Sequence, residues 1–325
     1  MEVLREVEEI KGISIVVPFL NEEAGILTFC RDLDRYAASF PVKIELLFVD
    51  DGSSDHSCEV LRTYRFEQIE KAKLVRFSRN YGSHYAIRAG VALASYGVCT
   101  WMGSDRQEPL DLLSLSLEKL QEGYDAVLID KRSVQVSTLN RFFSKVYTDL
   151  MRKYAVKNYT SGGTSTIVFN QKIKDQLNCH QELNSSIMLQ IIDMGYKTCT
   201  LSMDFSDRTE GKSKWTLSKK VKLFIDSFVS FSFMPIRLVS IMGCILFLIG
   251  LIIGLVTIVN AFVNPNVPLG YSTLACLISL GFGVTNISLG ILAEYLWRTL
   301  DAARGRAPYT IDTVEDLLEE CSPKA

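Results

Sequence analysis

The sequence predicts an α/β protein: an open, mainly parallel sheet with helices, followed by an interfacial amphipathic helix and a two-helix transmembrane hairpin. Three observations predict it. Between Ile13 and Ile129, short apolar runs alternate with stretches of helical spacing, the signature of parallel strands joined by crossover helices. From Leu238 to Ala293 no charged residue occurs, enough for two crossings at about 20 residues each. Between the two regions, Thr216–Pro235 gathers lysines near one end and phenylalanines through the rest.

The strands are read in order as Ile13–Phe19, Ile44–Val49, Lys73–Phe77, Val98–Met102 and Ala126–Ile129. Each is almost wholly apolar, as strands buried on both faces must be. Helical spacing falls between them at Glu22–Ser39, Ser57–Lys71, Ser83–Ser95 and Leu110–Glu122. In such a sheet ligands bind beyond the carboxyl ends of the strands, so functional residues are expected just after each run.

The membrane region divides at Asn264–Tyr271, a Pro- and Gly-containing turn between uncharged runs at 238–263 and 272–293, the second span being read to 296, past Glu294. Lys219, Lys220, Lys222 and Arg237 precede the first run; Arg298, Arg304 and Arg306 follow the second; the turn has no basic residue. The positive-inside bias then puts both flanks in the cytosol. Gly250 and Gly254 in the first run and Gly281, Gly283, Ser288 and Gly290 in the second permit close helix contact. In 216–235, Lys219, Lys220 and Lys222 suit anionic headgroups, and Phe224, Phe228, Phe231 and Phe233 suit the acyl boundary. The domain reading is a cytosolic domain at 1–206, a basic loop and interfacial helix at 207–237, two spans within 238–297, and a cytosolic tail at 298–325.

Bulk numbers agree. The 325 residues are 48% apolar and 22% charged, with mean hydropathy +0.15, too apolar for an ordinary soluble enzyme and too charged for a wholly membrane-embedded one. They exclude a disordered, collagenous or small disulfide-framed chain. A net charge of −2 argues against a nucleic-acid partner. The basic excess is local: Arg208, Lys212, Lys214, Lys219, Lys220, Lys222 and Arg237 face only Asp207, Glu210 and Asp226 in 207–237. Eight scattered cysteines, without CxxC or zinc spacing, read as reduced thiols in a cytosolic compartment. The first residues, MEVLREVEEIKG, contain no continuous apolar core, so no signal peptide is expected.

The chemistry-bearing residues follow the strands. The first ends in Val-Pro-Phe-Leu-Asn-Glu-Glu (17–23), the second in Val-Asp-Asp-Gly-Ser-Ser-Asp (49–55). Acidic groups there suit ribose hydroxyls and base edges; Asn21 and Ser53 read equally well as helix N-caps. The third run leads into Ser-Arg-Asn-Tyr-Gly-Ser-His-Tyr-Ala-Ile-Arg-Ala-Gly (78–90), the fourth into Gly-Ser-Asp-Arg-Gln-Glu-Pro (103–109). Later come Asp130-Lys131-Arg132, Arg141 with Lys145, Ser-Gly-Gly-Thr-Ser-Thr (161–166), Arg208-Thr-Glu-Gly-Lys-Ser-Lys-Trp (208–215), and Ser288–Arg298 with Arg306-Ala-Pro-Tyr309.

Together these stretches resemble family 2 glycosyltransferases of the GT-A fold, in the branch that uses polyprenyl-phosphate acceptors, similar to bactoprenol glucosyltransferases and dolichyl-phosphate mannose synthases. The resemblance runs from Ile13 to Tyr309. It implies an inverting transfer of a sugar from a UDP- or GDP-linked donor to a polyprenyl phosphate such as undecaprenyl or dolichyl phosphate. Pro18, Glu22, Asp51, Arg79, Asn80 and Ser104 are implied at the nucleotide. Asp105, with Gln107 assisting, is implied to hold Mg²⁺ or Mn²⁺, a hard cation that wants oxygen ligands. Gly103 stands where the family carries the first aspartate of its Asp-x-Asp pair, and 161–166 lacks the Asp and Arg of a GDFRL-like segment. Arg132 and Arg141 are implied at the acceptor phosphate; their plain alternative is a solvated helix face. Arg208 and Lys214 are implied at the departing diphosphate, or at lipid headgroups. A phosphate acceptor is already anionic, so His84 is expected to be structural rather than a base. A homotetramer in a bacterial inner membrane, with the catalytic domain and both termini cytosolic, completes what the resemblance implies. A catalytically weak relative acting as a membrane scaffold is the alternative that Gly103 and 161–166 leave open, and a processive synthase is disfavoured by the few spans and the lack of a QxxRW motif.

Overall fold

The computed structural model describes residues 10–131, 149, 164–179, 186–205, scattered positions between 241 and 259, 271–304 and 307–318. The chain forms two compact units, one of residues 1–221 with 307–325 and one of 222–306.

The first unit is built on an eight-stranded sheet of order β7-β5-β6-β4-β1-β2-β3-β8. Five strands follow the apolar runs closely: β1 Gly12–Phe19, β2 Lys43–Asp50, β3 Lys71–Phe77, β4 Val98–Trp101 and β5 Ala126–Lys131. Strands β1 to β4 run parallel, with β1 at the centre between β2 and β4. β6 (Thr164–Phe169) is antiparallel to both β4 and β5, β7 (Thr198–Met203) is parallel to β5, and β8 (Ile311–Asp316) is antiparallel to β3. The helices are α1 (Ile26–Ala37), α2 (Ser57–Thr63), α3 (Ser83–Leu93), α4 (Asp111–Gln121), α5 (Gln171–Cys179) and α6 (Ile187–Asp193). One continuous core of β1, β2, α1 and α4 side chains includes Ile13, Ile15, Phe29, Leu33, Phe48, Leu112 and Leu113.

Three departures from the sequence expectation have physical causes. Helix α2 ends at Thr63 rather than near Lys71, because buried Asp34 accepts the backbone N–H groups of Glu67 and Gln68, each at 2.9 Å, and so draws the chain out of helical hydrogen bonding. Helix α1 starts at Ile26 rather than Glu22, because residues 21–23 are bonded across to the neighbouring loop. The segment expected as a tail returns to the sheet as β8. There Arg62 grips Glu315 through Nε and Nη2 at 2.7 and 2.8 Å, Tyr309 stacks on Phe77 at 5.1 Å, and Leu317 donates its N–H to the Ala72 carbonyl at 2.8 Å.

Two details fix helix α3 on the sheet. Glu45, buried in β2, accepts the Ser14 hydroxyl, the Ser95 hydroxyl and the Ser95 N–H at 2.6 to 2.7 Å, so its charge is taken out of water with three donors. Gly90 lies on Val16 so closely that a Cβ there would stand 2.3 Å from Val16 Cγ1.

The second unit contains α7 (Tyr271–Arg304), 34 residues long. Among the residues whose side chains are described, no helix is long and apolar enough to cross a membrane. The hairpin expected at 238–263 and 272–296 is therefore not shown, and the interfacial segment 216–235 lies outside the described residues. What is seen is a series of exposed apolar side chains: Leu274, Ile278, Phe282, Leu289, Leu292 and Leu296 on α7, and Ile241, Ile245, Leu248 and Ile252 before it. The Thr285 and Ser288 hydroxyls bond back to the Gly281 and Val284 carbonyls at 2.9 and 2.8 Å, which hides their polarity from the surroundings.

Gly90→Ala is expected to destabilise the protein by about 1–3 kcal/mol through overpacking. Val16→Ala in the same chain should cost less than the sum of the two single changes; urea melts of the three variants measure this.

Candidate active site

The carboxyl ends of β1, β2, β3 and β4 carry four loops, and the first two are interlocked. Asn21, in the left-handed region at φ 54°, donates its N–H to Ser53 Oγ at 2.9 Å and accepts the Ser54 N–H at 2.8 Å. Glu22 N–H goes to Ser57 Oγ at 2.8 Å, Glu23 N–H to Asp55 at 3.2 Å, and the His56 N–H to Glu23 Oε2 at 3.3 Å. Neither helix has a side-chain N-cap bond, so Asn21 and Ser53 bind the loops to each other instead of capping.

The adjacent aspartates at the end of β2, Asp50 in the strand and Asp51 just past it, serve different partners. Asp50, fully buried, accepts the Ser53 N–H at 2.8 Å and the Cys58 thiol at 3.1 Å and pairs with Arg76 at 3.3 Å. Asp51 turns to the third loop and accepts the Tyr81 N–H at 2.7 Å and the Gly82 N–H at 2.9 Å. Burial raises the Asp51 carboxyl above its ordinary range, its two backbone donors pull it back, and Asp50 pushes it further up. Gly52, at φ 77°, makes the join possible: a Cβ there would meet the Arg79 carbonyl carbon at 2.7 Å. Arg79 and Asn80 stand exposed on this loop, the Arg79 guanidinium 4.8 Å above the Tyr81 ring. Pro18, in register with Val49, lies at the end of β1.

The fourth loop turns sharply, with Arg106 at φ 59° and its guanidinium 2.7 Å from Asp32 of α1. Ser104 is buried, and its carbonyl lies 4.0 Å from where a Cβ on Gly25 would be, so this loop adjoins the first. Asp105 and Gln107 are half-buried. Glu108 reaches back so that Oε2 accepts the Gly103 N–H at 3.1 Å while Oε1 accepts the Thr166 hydroxyl at 2.9 Å. Burial, the larger cause, and the Asp105 charge push its carboxyl up to about 7.

The structure thus brings Pro18, Glu22, Asp51, Arg79, Asn80, Ser104, Asp105 and Gln107 to one edge of the sheet. Arg132, Arg141, Arg208 and Lys214 lie outside the described residues. His84 sits at the start of α3, its Nδ1 enclosed without a hydrogen-bond partner among the described residues; burial and then Arg88 lower its pKa, so it stays neutral. Sequence reasoning missed Glu108 and Thr166 as members of the site. The acidic residue five positions after Gly103 was visible, but its partner lies across the sheet on antiparallel β6.

Among the described residues no three His, Cys, Asp or Glu side chains gather as a metal site. The donor chemistry at Asp105 nonetheless fits a hard divalent cation: a Cβ on Gly103 would stand 2.8 Å from Asp105 Oδ1 and 3.5 Å from Glu108 Oε2, so two carboxylate oxygens border one small space.

A mainly parallel sheet with carboxylate-bearing loops at its carboxyl edge defines the class as α/β, with its site beyond the carboxyl ends of the strands. Residues 14–178 match the family described as glycosyl transferase family 2, and the chain belongs to it. It is similar to the undecaprenyl-phosphate 4-deoxy-4-formamido-L-arabinose transferase of Klebsiella pneumoniae (strain 342), 28% identical over 308 residues and covering 94% of each chain. An uncharacterized glycosyltransferase of Bacillus subtilis (strain 168), YkcC, is 28% identical over 303 residues, 92% of each. Among solved structures, the mannosyltransferase PcManGT from Pyrobaculum calidifontis in complex with GDP-Man and Mn²⁺ matches at 15% identity over 92% of this chain and 77% of that one, with a TM-score of 0.47.

Because the Glu108 carboxyl titrates higher in the folded protein than its ordinary 4.5, the folded state binds that proton more tightly. Its contribution is therefore present below about pH 4.5 and lost as pH rises through about 7, by about 3 kcal/mol. Glu108→Gln should remove this part of the fall in urea-melt stability between pH 5 and 7.5.

Proposed function

We propose that the protein transfers a glycosyl group, with inversion, from a nucleotide sugar to a polyprenyl phosphate. The observation that carries this reading is the gathering of Glu22, Asp51, Arg79, Asn80 and Asp105 on interlocked loops at one sheet edge. The Klebsiella relative, which this chain matches along nearly its whole length and which is named an undecaprenyl-phosphate sugar transferase, supports the acceptor class. It also favours transfer over a scaffold role.

In the reaction an acceptor phosphate oxygen forms a bond to the anomeric carbon. The bond from that carbon to the donor's diphosphate oxygen breaks, and its electron pair leaves with the nucleoside diphosphate. The acceptor is already anionic, so no side chain needs to remove a proton, in keeping with the enclosed, neutral His84. What the chain supplies is alignment and charge neutralisation. Pro18, Glu22, Asp51, Arg79, Asn80 and Ser104 hold the nucleotide; the loop interlock keeps these groups in place before the donor arrives. Asp105, with Gln107, would hold Mg²⁺ or Mn²⁺, which supplies positive charge to the leaving diphosphate. Arg208 and Lys214 add charge at the diphosphate, and Arg132 and Arg141 meet the acceptor phosphate.

The acceptor's tail requires a membrane. The uncharged runs at 238–263 and 272–293, the exposed apolar side chains and the self-bonded hydroxyls of α7 support a two-span anchor at 238–263 and 272–296. Segment 207–237 lies at the cytosolic surface between anchor and domain, with both termini cytosolic, in a bacterial inner membrane as a homotetramer.

Incubating the detergent-purified protein with labelled UDP- and GDP-sugars, undecaprenyl phosphate and Mg²⁺ or Mn²⁺ tests the reading. Labelled glycolipid is the expected product; none with any donor or metal overturns it. Asp105→Ala is expected to lower the rate by about 10²–10³-fold, and unchanged turnover would remove Asp105 from the site.

A further inference from the structure

We infer that Glu108 is the second carboxylate of the metal site, in the place vacated by the missing aspartate at 103, and that Gly103 is what makes room for it. This rests on the proposed binding of a divalent cation at Asp105.

The geometry around Gly103 carries the inference. A Cβ at this position would stand 2.8 Å from Asp105 Oδ1, closer than real Cβ atoms come. Asp105 can therefore swing its carboxylate back over residue 103 only because that residue is glycine. On the other side of the same point, 3.5 Å away, is Glu108 Oε2. The space an aspartate side chain would fill is thus bordered by two carboxylate oxygens from elsewhere in the loop.

Glu108 is held for this task from both ends. Its Oε2 takes the Gly103 N–H and its Oε1 the Thr166 hydroxyl. A carboxylate oxygen has two lone pairs, so each can serve a further partner. Thr166 comes from the 161–166 segment in which the family's Asp and Arg are missing, so the two departures from the family pattern meet at one side chain. Two carboxylate oxygens that border one point at 2.8 and 3.5 Å repel when both are charged. A cation with two positive charges between the carboxylates reverses that balance. A side chain that merely braced the turn would need no negative charge, and glutamine would serve it as well.

Mn²⁺ binding to the full-length, detergent-solubilised protein, followed by the loss of the free-ion electron paramagnetic resonance signal with UDP or GDP present, tests this directly. Glu108→Gln is expected to weaken Mn²⁺ binding about tenfold or more, because ligand charge count sets affinity at such sites. Gly103→Ala, which displaces the Asp105 carboxylate, should weaken it as well. A folded Glu108→Gln protein, its melting temperature at or above that of the wild type, that binds Mn²⁺ as tightly as the wild type overturns the inference. So does a folded Gly103→Ala protein with unchanged affinity. Sugar transfer is scored separately. A wild-type protein that makes glycolipid but binds no Mn²⁺ overturns the metal site alone, whereas Glu108-dependent Mn²⁺ binding without transfer to any acceptor sustains the inference and removes the transferase reading.

Discussion

Two neighbouring carboxylates at the end of one strand hold the working edge of the sheet together. Asp50 is the last residue of β2 and Asp51 the first of the loop, so the two serve different partners from adjacent positions. Asp50 ties the second loop to itself and to Arg76 of β3. Asp51 collects two N–H groups of the third loop. Asn21 and Glu22 add the first loop through Ser53, Ser54 and Ser57. Unpaired backbone donors at this depth would each cost about 1–3 kcal/mol, so the acidic motif is a fastening before it is a binding surface. Its rigidity is what allows exposed groups such as Arg79 and Asn80 to meet a ligand in a fixed arrangement.

Buried carboxylates recur in this domain, and their surroundings distinguish their roles. Glu45 lies toward the amino ends of the strands and receives three hydrogen bonds from Ser14 and Ser95, with no acidic neighbour among those partners. That is a satisfied structural charge. Glu108 lies at the opposite edge, receives two, and stands near Asp105, which opposes its ionisation. The same residue type is fully enclosed and settled in one place, and only partly enclosed yet held under electrostatic tension in the other. Tension of this kind concentrates where function needs it.

Much of this was legible in the sequence because the relevant signals are local. The five apolar runs became β1 to β5 with shifts of one or two residues, since a strand buried on both faces has little choice of composition. The loops after them carried their motifs openly. What stayed hidden depends on partners distant in the chain. Asp34 shortens α2 from more than thirty positions away. Thr166 meets Glu108 through an antiparallel strand whose own sequence, Thr164–Phe169, gives no hint of its direction. The antiparallel β8, Ile311–Asp316, reads as a polar tail because only its Leu317 end is buried. Edge strands often carry charge on purpose, which is also what disguises them.

The position of β8 in the chain has a consequence for how the protein is made. Its partner β3 ends at Phe77, whereas β8 begins at Ile311, with the whole second unit in between. A chain that leaves the ribosome at about 5–20 residues per second must therefore hold the β3 edge open through the synthesis of the second unit. During that interval the edge is the exposed template on which sheets pair wrongly. The closure from Tyr309 to Leu317 therefore comes only after the second unit has been made, so the sheet that is begun before that unit is finished after it.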